Sequence, residues 1–155
     1  MKIRWKILIF FLIIVFSIAF IGGLFTSSNT KTDWYESIKP SITPPDYVFP
    51  IVWNILFFMI ALSLYLAWTN SKNKKIKKKV AVIFGINLLL NLFWSVLFFG
   101  LRSPEFAFYE LILLWASIFV MISINYKINK TSAYLLIPYL FWVSFAGILN
   151  YLIAF

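Results

Sequence analysis

The strongest constraint on this chain is the length of its uninterrupted apolar runs. There are five, at about residues 7–25, 48–68, 80–100, 106–126 and 133–155. Each approaches the roughly 20 helical residues that cross the hydrocarbon core of a bilayer. They are continuously apolar and do not alternate as the strands of a membrane β-barrel would. Of the 155 residues, 63% are hydrophobic and 12% charged, and the mean hydropathy is +0.91. That leaves too little polar material to coat a soluble core of this size. The chain reads as an all-α integral membrane protein, a five-transmembrane-helix bundle forming a single domain over residues 1–155, with 26–47 as its long loop. The first run follows the basic start "MKIRWK". It is long for the apolar core of a cleavable leader and is read as a span.

Basic residues set the expected orientation. Lys2, Arg4 and Lys6 precede the first span, Lys72, Lys74, Lys75, Lys77, Lys78 and Lys79 lie between the second and third, and Lys127 and Lys130 between the fourth and fifth. With five crossings all of these share one side, against only Lys31, Lys39 and Arg102 on the other. The positive-inside rule then predicts a multi-pass protein of a plasma or inner membrane, N-terminus in the cytoplasm and C-terminus outside. The net charge of +9 suits anionic lipid headgroups and does not require nucleic acid as a partner.

Cysteine and histidine are both absent, which removes thiol chemistry and the commonest metal and haem ligands. No phosphate loop or nucleophile elbow is present, so neither a catalytic site nor a metal site nor a cofactor is expected. The acidic residues are Asp33, Glu36, Asp46, Glu105 and Glu110. Only Glu110 falls inside a span, where snorkelling or pairing with Arg102 is the simplest reading. Aromatic side chains dominate instead, with 18 Phe, 8 Tyr and 7 Trp.

In the third span, "INLLLNLFWS" places Asn87, Asn91, Trp94 and Ser95 on one helical face. A buried amide in lipid needs a partner, either another helix or a ligand. Asn87 reads as interhelical glue. Asn91 beside Trp94 suits a flat guest, although glue serves there too. The last span repeats the pattern with Pro138, Trp142, Ala146 and Leu149 and with Asn150 alongside, while Phe49, Trp53 and Phe57 recur at intervals of four in the second. Three aromatic stripes with a few amides have the composition of a ligand pocket. A separate small-xxx-small pair, Ala81 and Gly85, points away from the asparagine face and is expected to meet a second copy in a homodimer.

These motifs carry a resemblance. "WYESIKPSITPPDYVFPIVWNIL", "NLLLNLFWSVLFFG" and "SAYLLIPYLFWVSFAGILNYLI", in that order and spacing, resemble the TspO/MBR family, known in animals as the translocator protein or peripheral benzodiazepine receptor, in its bacterial form. The resemblance implies a dimeric five-helix bundle with a pocket open toward the first loop. It also implies binding of porphyrins such as protoporphyrin IX, as ligand rather than cofactor. Carried over by position, Trp53 and Asn91 are the polar contacts and Tyr35, Pro44, Phe49, Phe57, Trp94, Trp142 and Ala146 the wall. The expected role is tetrapyrrole sensing or regulation. A light- or oxygen-dependent porphyrin-degrading enzyme, using Trp53 and Trp142, is one alternative, and a porphyrin transporter is another. Three positions depart from the family's pattern: Ile42 replaces a tryptophan, Asp46 a glycine and Ser95 a proline. No basic residue follows Tyr151, so the sterol motif of animal members is incomplete.

The stretch "KPSITPPDYVFPIVWN" holds four of the six prolines. Proline fixes its own φ and extends the residue before it, so Pro40, Pro44 and Pro45 should stiffen the loop. Pro50 falls in the first turn of the second span, where its missing N–H costs little. The loop is thus expected to be a stiff lid that brings Tyr35 and Pro44 to the ligand.

Overall fold

A computed structural model describes residues 3–155, so Lys2 of the N-terminal basic group lies outside it. The described residues form seven α-helices: α1 (Trp5–Ser27), α2 (Asp33–Ile38), α3 (Val48–Asn70), α4 (Lys74–Ser95), α5 (Pro104–Ile128), α6 (Lys130–Tyr134) and α7 (Ile137–Ala154). Five segments are long and apolar enough to cross a membrane: α1, α3, α4 with its extension to Gly100, α5, and α6 with α7.

Local chemistry sets the boundaries. Asn73 caps α4 by accepting from the Ile76 N–H at 2.9 Å, and Asn129 caps α6 through the Ser132 N–H at 2.9 Å. Pro104 opens α5, and Pro50 sits in the first turn of α3 as expected. The exposed Asn54 turns back to the Pro50 carbonyl at 2.7 Å. At its far end α4 widens into a π-helical turn, Val96–Gly100.

The spans close into a ring. α1 packs on α3 and α4, α4 on α5, α5 on α7, and α6 returns to α3. Lipid tails are as apolar as leucine, so burial alone does not hold such a ring, and close packing and interhelical hydrogen bonds must. α1 buries only Phe11, Val15 and Gly22, and at Gly22 a Cβ would already stand 3.5 Å from the Ser95 hydroxyl. The Arg4 N–H donates to the Tyr65 hydroxyl at 2.9 Å and ties the start of α1 to α3.

The tightest polar knot joins α3, α5 and α6. The Ser63 hydroxyl donates to the Ser132 carbonyl and the Ser132 hydroxyl to the Ser63 carbonyl, both at 2.8 Å. Asn125 Nδ2 lies 2.9 Å from the Ser132 hydroxyl and 3.3 Å from that of Ser63. All three residues are completely buried. This fastens α3 to the last span at the lysine-rich end. Beyond the knot, toward the end that carries loop 28–47, α3 and α7 separate.

Candidate functional site

The parting of α3 and α7 exposes an aromatic seam. Trp53 stacks on Phe57 with ring centres 5.4 Å apart and meets the Tyr139 ring edge-on at 6.1 Å. Phe49 meets Trp142 edge-on at 5.8 Å. Trp53, Phe57, Trp94, Trp142 and Ala146 all belong to, or pack against, one core cluster. A groove of about 650 Å³ follows the seam, lined by Val52, Ile55, Leu56, Met59, Ile137, Pro138, Phe141, Trp142 and Phe145. It opens sideways between the two spans, whereas the family likeness implies a pocket open toward the loop.

Trp142 links the groove to the interior. Its indole N–H is buried and has no hydrogen-bond partner. A buried N–H normally finds an acceptor, and leaving one unpaired costs about 1–3 kcal/mol.

The amides behind the aromatic wall are occupied by one another. Asn91 Nδ2 donates to the Tyr139 hydroxyl at 3.2 Å, which donates to Asn87 Oδ1 at 3.3 Å. Asn87 Nδ2 donates to Ser117 Oγ at 2.8 Å, which donates to the Leu114 carbonyl at 2.7 Å. Asn87 is therefore the interhelical glue that its position suggests. Asn91 stands behind Tyr139, so its amide must leave that hydroxyl before it can reach a guest. The Trp94 indole donates to Asn150 Oδ1 at 3.0 Å, and Asn150 Nδ2 donates to the Pro104 carbonyl at 2.8 Å. These bonds join α4, α5 and α7 near the loop end.

Tyr35 belongs elsewhere. It is buried in a second cluster with Phe98, Phe99 and Ala107, against which Trp34 and Trp94 also pack. Its ring lies 5.6 Å from Phe99 and 6.4 Å from Phe98, and Trp34 lies 6.0 Å from Phe98 beneath the Arg102 guanidinium. Thr32 caps α2, its hydroxyl accepting from the Tyr35 N–H at 3.4 Å. Lys39 pairs with Glu36 at 2.9 Å and with Asp46 at 3.5 Å, tying α2 to the Pro45–Val48 turn that leads into α3. The hydrogen bond that Lys39 donates to Glu36 holds the lysine's pKa above its usual value, against the opposing effect of desolvation. Burial pushes the Tyr35 hydroxyl up, partly offset by Lys39. Asp46, which stands where the family often has glycine, thus takes part in a latch. Pro44 is half-buried within that latch, and the Thr43 hydroxyl beside it is buried without a partner.

Glu110 neither snorkels nor pairs with Arg102. It is 6% exposed, with both carboxyl oxygens unpartnered, and Arg102 stacks on Trp34 instead. Arg102, at a positive φ of 51°, lies over the Trp34 ring at 5.4 Å. Ala81 is exposed and a Cβ at Gly85 would meet nothing within 4 Å, so this face of α4 lies open to the bilayer.

Sequence reasoning passed over Tyr139, the hub of the polar chain, although it precedes Trp142 by three and Ala146 by seven on one helical face. It also passed over Val52, Met59, Phe141 and Phe145, whose signal is ordinary lipid-facing hydrophobicity.

Comparison with known proteins accounts for the arrangement. The family model described as "TspO/MBR family" matches residues 10–155. The chain is 38% identical over 137 residues to the tryptophan-rich protein TspO of Chlorobaculum tepidum, covering 88% of this chain and 87% of that one. It is 39% identical over 140 residues to the tryptophan-rich protein TspO of Archaeoglobus fulgidus, covering 90% and 89%. With the translocator protein of Homo sapiens it shares 32% identity over 136 residues, covering 85% and 79%. A five-span bundle with Trp53 and Trp142 where the second and last spans part is thus joined by likeness along nearly its whole length, and this integral multi-pass membrane protein belongs to the TspO/MBR family.

Proposed function

We propose that the bundle binds a flat, apolar ligand of the porphyrin type in the α3/α7 seam and acts in tetrapyrrole sensing or regulation. The observation that carries this reading is the buried, unpartnered indole N–H of Trp142 at a groove of about 650 Å³. That volume falls within the range of small-molecule pockets, and the lining has their composition: apolar and aromatic, with one donor free. Trp53, Phe49 and Phe57 supply ring faces on the α3 side, and the Asn91 amide becomes available if Tyr139 turns. Protoporphyrin IX added to the protein in lipid nanodiscs should quench tryptophan emission saturably in the dark. Trp142→Phe keeps the ring but removes the donor, and should weaken binding about three- to tenfold, the worth of one hydrogen bond. Unchanged affinity would remove Trp142 from the site. Loss of porphyrin absorbance under light, dependent on Trp53 and Trp142, would favour the degrading enzyme. Protein-dependent flux into liposomes would favour the transporter.

Two further readings concern assembly and orientation. The open Ala81–Gly85 face supports a homodimer through α4. Gly85→Leu has free space in the monomer, so it should lower the mass measured in mild detergent to the monomer's without reducing thermal stability. If wild-type protein is already monomeric, this interface does not exist. The lysine-rich end supports a cytoplasmic N-terminus in a plasma or inner membrane. Trypsin added to intact cells should then spare Lys72–Lys79, and cleavage there would reverse the topology.

A further inference from the structure

We propose that the guest enters and leaves sideways, from the hydrocarbon of the bilayer through the α3/α7 seam, and not past the loop. The inference rests on the binding reading above for the guest's identity, and on three observations for its path.

The first is how the seam is fastened. At the lysine-rich end the Ser63–Ser132 exchange and Asn125 lock α3 to α6 with bonds of 2.8–3.3 Å. Near the groove the two helices meet through edge-on ring contacts, Phe49 with Trp142 at 5.8 Å and Trp53 with Tyr139 at 6.1 Å, with no hydrogen bond between them there among the described residues. An edge-on ring contact can open by a rotamer change, whereas the knot cannot open without stranding buried polar groups.

The second is depth and chemistry. The groove reaches Met59, eleven residues and about 16 Å of helix from Val48, roughly half the thickness of the hydrocarbon core. Its rim residues Ile55 and Phe141 are 55% and 71% exposed, toward lipid. A guest dissolved among acyl chains meets this mouth without crossing any polar layer, and Trp142, whose indole N–H is buried and unpartnered, forms part of its lining.

The third is the latch on the loop. Leaving by that route requires lifting Tyr35 from Phe98 and Phe99 and Trp34 from Phe98 and Arg102, and moving a turn held by the Lys39 pairs. These contacts anchor α2 on the π-helical end of α4, in a cluster against which Ile153 of α7 also packs.

The absence of cysteine permits a clean test. One variant carries Trp34→Cys and Arg102→Cys, bridged by a short reducible dithiol linker that staples the loop. A second carries Ile55→Cys and Phe141→Cys, bridged by the same reagent across the seam. Stopped-flow quenching by protoporphyrin IX in nanodiscs is then measured before and after reduction. The seam staple should slow both association and dissociation by about tenfold or more, reversed on reduction, and the loop staple by less than about twofold. Slowing by the loop staple, alone or together with the seam staple, overturns the proposal, and so does an inert seam staple. A separate arm needs no porphyrin: lipids brominated along their acyl chains should quench the emission that is lost in Trp142→Phe, and the seam staple should abolish that quenching. If protoporphyrin does not bind, the porphyrin reading fails, and the bromolipid result alone decides whether the mouth is open to the bilayer. No quenching there overturns it.

Discussion

Ser132→Ala should cost about 2 kcal/mol of stability, a large loss for the removal of one hydroxyl. The Ser132 hydroxyl donates to the Ser63 carbonyl and accepts from Asn125, and Ser63 returns the exchange to the Ser132 carbonyl. Alanine removes only the hydroxyl, which takes the interhelical bond from the Ser63 carbonyl and the nearer acceptor from the Asn125 amide in a fully buried region. Asn125 Oδ1 is already an acceptor without a donor, so the knot has no spare donor to reorganise around. Thermal unfolding in detergent checks the loss against Ser123→Ala, since the exposed Ser123 hydroxyl bonds only to the Phe119 carbonyl of its own helix. Equal effects of the two substitutions would mean that the knot does not hold α3 to α6.

Tyr139→Phe should follow closely, at about 1–3 kcal/mol. It deletes one oxygen and breaks two bonds, stranding Asn91 Nδ2 and Asn87 Oδ1. Removing one partner from a buried polar pair costs more than removing both. Adding Asn91→Leu to Tyr139→Phe should therefore recover part of the stability that the single change loses. A double-mutant cycle measures the coupling, and strict additivity would show that the two groups act independently. The same substitution bears on binding. With its hydroxyl partner gone, Asn91 is free to turn toward the seam.

The spans were legible because hydrophobic length is a one-dimensional signal that a bilayer reads directly. Val48 was placed correctly as the start of α3, and the proline at its third position explains why. The charge of Lys74–Lys79 suggests a connecting segment between spans, yet the stretch is the first turn and a half of α4. Asn73 caps it, and lysine is a good helix former once the chain has left the hydrocarbon. α2 was missed for a different reason: six residues are too few to show a period, although Thr32 followed by Asp33 and Glu36 is the signature of a capped start.

The site was legible as a set of stripes but not as a shape. Helical spacing identified Phe49, Trp53, Phe57, Trp142 and Ala146 as facing residues. It could not show that Tyr35 joins a different cluster, or that Asn91 is engaged by Tyr139. Those facts depend on which helices are neighbours and where they part. That in turn is fixed by Ser63, Asn125 and Ser132, three small polar residues that are far apart in sequence.

The π-helical turn Val96–Gly100 has a consequence for the loop. Its wider winding, with the Leu101 N–H reaching the Val96 carbonyl at 2.8 Å, brings Phe98 and Phe99 round together beneath α2. The grip on the loop is therefore a matter of rotational phase and not of tether length. Residues added between Ser28 and Lys31 would leave both phenyl rings where they are. A single residue removed from the turn would swing them about 100° around the axis, and α2 would lose its seat while every crossing of the membrane stayed in place.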